Sequence, residues 1–95
     1  MKVFQTPTFA RKYKKLSRRE LTAINKALEE IFHDPEIGPV KRGDLKDIRV
    51  HKFKNSNNQL LIAYWVPDAR VIELIDFGTH ENFYRDLKRR NRAQS

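Results

Sequence analysis

Ser17 and Glu20 stand three residues apart, directly before a long apolar stripe, and that spacing fixes where one helix must begin. In an S-x-x-E box the serine side chain accepts from the amide three residues on, and the glutamate returns a bond to the serine amide. Leu16 and Leu21 hold the two hydrophobic-staple positions around that cap. Leu21, Ile24, Ala27, Leu28, Ile31 and Phe32 then recur on one face, and Pro35 halts the helix near His33 and Asp34. A helix with one apolar face must cover it with another element. Upstream, residues 3–6 (VFQT) read as a short strand. Thr6 is placed to cap a first helix with Pro7 at its first position, where the missing N–H does no harm. Phe9, Tyr13 and Leu16 follow at i, i+4, i+7, so residues 7–33 read as a helical hairpin.

The rest of the chain changes period. Residues 34–45 hold two of the four prolines and two of the three glycines and read as a loop. Residues 47–54 alternate, with Ile48, Val50, Lys52 and Lys54 on one face and Arg49, His51 and Phe53 on the other. Residues 55–58 signal a turn, 59–66 (QLLIAYWV) a central strand, 67–69 a second turn and 70–77 a last strand. Connections this short favour antiparallel neighbours. Gly78 and Thr79 end the sheet, 80–90 reads as a final helix and 91–95 as a mobile tail. The expected class is α+β, in the order β-α-α-β-β-β-α. The helical hairpin packs on a small, mainly antiparallel sheet, within one domain over 1–95.

Charge narrows the partners. Twenty Lys and Arg against twelve Asp and Glu leave a net charge of +8. Residues 1–33 carry eight basic against three acidic groups, residues 34–78 seven of each, and residues 79–95 five against two. Two basic ends around a neutral middle attract polyanions: RNA, DNA, a ribosome or an acidic protein. With no cysteine there is no disulfide frame, thiol nucleophile or cysteine metal site. The three histidines lack metal-site spacing, so neither metal nor cofactor is expected. No apolar run approaches the roughly 18 residues of a membrane helix. The opening MKVFQTPTFARKYKK lacks a signal peptide's apolar stretch. A cytoplasmic protein with no membrane contact is expected.

Three basic constellations stand out. His80 follows Gly78 and Thr79 at the strand-to-helix boundary, with Tyr84 one helical turn on and Arg85 and Lys88 beside it. Imidazole moves protons near neutral pH, and guanidinium and ammonium groups hold phosphate, so the set suits phosphodiester chemistry. The alternative is that His80 starts the helix and Tyr84 fills core; spacing does not separate the two. His51, Lys52 and Lys54 form the second set, an anion site or the protective lysines of an edge strand. Arg11, Lys12, Lys14, Lys15, Arg18 and Arg19 form the third, a phosphate track or a solvated helix face.

Taken together, the residues resemble the RelE/ParE superfamily of bacterial type II toxins. The stretches that carry the likeness are VFQTPTFARKYKKL at the start, KRGDLKDIRVHKFK (41–54), LLIAYW (60–65) and DFGTHENFYRDLKR (76–89). The likeness spans nearly the whole chain, and its G-T-H segment is similar to that of YafQ-type members of the RelE branch. It implies a ribosome-dependent mRNA endonuclease, independent of metal, neutralised by a small acidic antitoxin. His80 and Tyr84 then fall on catalytic positions, with Lys52, Lys54 and Arg85 stabilising the phosphate. His51, Arg49, Lys88, Arg11 and Lys15 would bind RNA. The YafQ-type arginine just before G-T-H falls here on Asp76. The ParE branch implies instead an inhibitor of DNA gyrase, and a third possibility is an inactive, antitoxin-binding member.

Overall fold

The computed structural model describes residues 1–41 and 47–79. In chain order these form β1 (Lys2–Gln5), α1 (Pro7–Lys14), α2 (Arg18–His33), β2 (Arg49–Asn55), β3 (Asn58–Asp68) and β4 (Val71–Thr79). The final helix expected over 80–90 and the tail 91–95 lie outside the described residues, as do positions 42–46 of the loop. No described helix is long and apolar enough to cross a membrane.

The two caps form as their residue types require. Thr6 Oγ1 accepts from the Phe9 amide at 3.1 Å and donates to the Ile75 carbonyl at 2.6 Å, tying the start of α1 to β4. Thr6 is therefore the cap and not the last residue of the strand, which ends at Gln5. Around α2 the Glu20 amide donates to Ser17 Oγ at 3.2 Å, and the Ser17 amide donates to Glu20 Oε1 at 2.9 Å. The bonds from Ser17, backbone first, hold the Glu20 carboxyl below its usual range.

The sheet order is β1-β4-β3-β2. β2, β3 and β4 pair antiparallel, and β1 pairs parallel with β4. The parallel pair follows from the route: the helical hairpin carries the chain across one sheet face, from the β1 edge to the β2 edge. Asn55 pairs with Asn58 around a two-residue turn, and Ser56 takes the positive φ of 57° there. Two boundaries differ from expectation. Pro67 and Asp68 belong to β3 and not to a turn. The register shifts between Trp65 and Asp68, which makes room for a residue without an N–H. β4 also runs on through Gly78 to Thr79.

The apolar run of β3 is buried on both faces. Ile62 and Tyr64 pack with Phe9, Ile24 and Ile31 under the helices. Leu61 and Ala63 join Ile48, Val50 and Ile75 on the opposite face. Tyr64 also pins the loop. Its hydroxyl accepts from the Gly38 amide at 2.9 Å and donates to the Pro35 carbonyl at 2.8 Å. Burial, partly offset by the Gly38 bond and the Arg49 charge, pushes its phenol above the usual tyrosine range. A Cβ on Gly38 would lie 2.9 Å from that hydroxyl and 3.0 Å from the Val50 carbonyl carbon, so glycine is required. Tyr64→Phe leaves a buried amide without its acceptor and is expected to cost about 2 kcal/mol. Urea unfolding reads this as a lower midpoint at unchanged slope.

Candidate functional site

β2 sets the geometry of the candidate site because successive side chains alternate. Val50 enters the cluster on the face away from the helices, so Lys52 and Lys54 follow it there, both exposed. Lys52 lies opposite Leu61, and Leu61 lies opposite Gly78. Two interstrand spacings, about 10 Å, therefore separate the backbones of Lys52 and Gly78. Phe53, Leu60 and Thr79 form the next row, so the hairpin lysines and the end of β4 share one end of the sheet. Among the described residues neither lysine has an ion-pair partner. β2 is also an edge strand, where lysines discourage pairing with another sheet whether or not they also hold phosphate.

The pleat separates His51 from these lysines. Its ring faces the helices, and Nε2 lies 3.2 Å from Glu30 Oε1, with 12% of the side chain exposed. Arg49 is engaged as well: Nη1 donates to the Gly38 carbonyl at 2.8 Å and reaches the Glu36 carbonyl at 3.4 Å. Two of the expected RNA ligands thus have structural partners, and only Lys52 and Lys54 of the second set stand together and free of them.

The helix cations also divide. Arg11, Lys12 and Lys14 occupy the last turn of α1, where positive charge complements the helix dipole. Arg11 is exposed there. Lys15 caps the C-terminus of α1 and rims a cleft of about 340 Å³ whose floor includes Leu16, Ile24, Phe53, Leu60 and Phe77. Lys12 does something different. Its Nζ lies 2.7 Å from Asp76 Oδ1 and 2.9 Å from the Phe77 carbonyl, while Asp76 Oδ1 accepts from the Phe77 amide at 2.8 Å. The pairing of β1 with β4 ends at Leu74, and this carboxylate and ammonium serve the Phe77 backbone beyond it. The aspartate where the resemblance has an arginine is thus a buried structural group. A lone acid in the apolar run RVIELIDF was the available signal that some cation must reach it.

His80, Tyr84, Arg85 and Lys88 lie outside the described residues. Thr79 marks where the chain leaves the sheet toward them.

A family model described as ParE-like toxin of type II bacterial toxin-antitoxin system matches residues 3–88. The fold is similar to that in the intact Escherichia coli RelBE toxin–antitoxin complex, with a TM-score of 0.67 at 22% identity over 84% of this chain and 96% of that one. It is equally similar to the isolated E. coli RelE toxin, with a TM-score of 0.66 at 22% identity over 93% and 96% of the two chains. No curated protein matches by sequence.

Proposed function

The chain belongs to the ParE-like toxin family of type II bacterial toxin–antitoxin systems, and from that premise we propose that it is a ribosome-dependent mRNA endonuclease acting in the cytoplasm. The observation that carries the reading is the sheet register. Lys52 and Lys54, cations without partners among the described residues, share one sheet end with Gly78 and Thr79, which lead in sequence to His80. The likeness to RelE adds to it, as does the antitoxin-bound state of that relative, from which we take a small acidic antitoxin as this chain's partner.

In this reading a ribose 2′-hydroxyl loses its proton and attacks the adjacent phosphorus. The bond to the departing 5′-oxygen breaks, and that oxygen takes up a proton. The products are a 2′,3′-cyclic phosphate and a 5′-hydroxyl. The nucleophile is internal to the RNA, so no metal-bound water is called for. His80 transfers a proton, Tyr84 stacks on a base, and Lys52, Lys54 and Arg85 stabilise the charge that accumulates on phosphorus.

Lys52→Ala with Lys54→Ala is expected to cut cleavage of ribosome-bound mRNA by about 10²-fold or more. Both side chains are exposed, so the circular dichroism spectrum should not change. A double variant that cuts at the wild-type rate removes these lysines from the site. The family's ParE-like name favours a second reading, inhibition of DNA gyrase. That reading predicts loss of supercoiling activity with intact mRNA. An inactive member predicts neither effect and no arrest of growth.

A further inference from the structure

A second basic feature lies away from the lysine face, between α2 and the β2–β3 hairpin. An open groove of about 620 Å³ is bordered by Arg18, Arg19 and Lys26 from the helix and by Lys54 from the hairpin, with Thr22 and Ala23 along its floor. Neither an acidic nor an aromatic side chain lines it. All four cations are exposed, and none has an ion-pair partner among the described residues.

Local stability does not account for this arrangement. Arg18 and Arg19 sit in the first turn of α2, where positive charge opposes the helix dipole. The cations of α1, by contrast, lie in its last turn. Arg18, Thr22 and Lys26 recur at i, i+4, i+8, so the helix ridge runs about 12 Å between its terminal cations. Thr22 turns its hydroxyl back to the Arg18 carbonyl at 3.0 Å, which keeps the centre of the ridge low. A low floor between cations admits a charged backbone more readily than a folded side chain. With no ring to stack on, the groove lacks the platform by which proteins hold unpaired bases. What remains is recognition of phosphates in a fixed geometry, as proteins recognise A-form helices.

We propose that this groove docks the sugar–phosphate backbone of double-helical RNA, through Arg18, Arg19, Lys26 and Lys54, as an anchoring surface separate from the point of cleavage. The choice of RNA rests on the nuclease reading above; the basic groove itself does not. A toxin that works only on the ribosome meets far more paired RNA than message, and the groove would orient it there.

The test is equilibrium binding of the purified chain to a fluorescent RNA duplex, to one of its strands alone, and to a polyglutamate peptide of equal charge, each across a salt series. The duplex is expected to bind tightest. Arg19→Ala with Lys26→Ala should weaken duplex binding about 10²-fold near 0.1 M salt and lower the log–log salt slope by about two. An unchanged slope in the double variant overturns the proposal. So does tighter binding of the single strand, or of polyglutamate, which would make the groove a protein-docking surface. Binding is read without cleavage, so a chain that cuts no RNA still decides this point, and a groove variant with unaltered duplex binding leaves the nuclease reading standing.

Discussion

Replacing Lys12 by alanine is expected to lower the unfolding free energy by about 3 kcal/mol, far more than the usual worth of an ion pair at a surface. The asymmetry of burial decides this. The Asp76 side chain is 4% exposed, that of Lys12 46%. Without its ammonium, the carboxylate stays buried and short of countercharge, and the Phe77 carbonyl loses a donor. The contact of the Lys12 ammonium with the Phe77 ring, 5.9 Å from its centroid, goes as well. Asp76→Asn is milder, about 1 kcal/mol, because an amide oxygen still accepts from the Phe77 amide and the lysine reaches water. Thermal unfolding by circular dichroism should rank wild type above Asp76→Asn and Asp76→Asn above Lys12→Ala. At about 4 °C or more per kcal/mol, the lysine variant should lose more than 10 °C. A loss within 2 °C would mean that Asp76 finds its compensation elsewhere.

The helical hairpin was legible because its signals are local. A capping serine, a glutamate three residues on and a proline stop act over a few residues, and no tertiary contact needs to override them. The strands were legible as strands, but their limits were not. Pro67 reads as a turn until a shift in register beside Trp65 lets it sit within β3. The parallel pairing of β1 joins residues about 70 positions apart, and no local pattern encodes it.

The candidate site was legible in a different proportion. Alternation along β2 placed Lys52 and Lys54 together and already set His51 on the other face, yet proximity in sequence had grouped all three. The helix-facing position of His51 makes Glu30 its neighbour. Arg49 counts as a phosphate ligand by charge alone, but its guanidinium is directed by carbonyls of a loop that the sequence leaves shapeless. The Lys12–Asp76 pair and the groove through Lys26 depend on how α1 and α2 lie on the sheet, which a single strand or helix pattern does not contain.

The largest functional effect is expected at His80. Substituting alanine for a residue that transfers a proton removes about 10² to 10⁴ of rate. The measurement that bears most directly on the account uses purified protein, translating ribosomes and a defined mRNA, with 5′ ends mapped for wild type and His80→Ala. The account predicts cuts that need the ribosome, leave 5′-hydroxyl ends and vanish with the histidine while the far-ultraviolet spectrum is unchanged. Intact mRNA with folded wild-type protein that still arrests growth would contradict it, and gyrase would then be the target to examine.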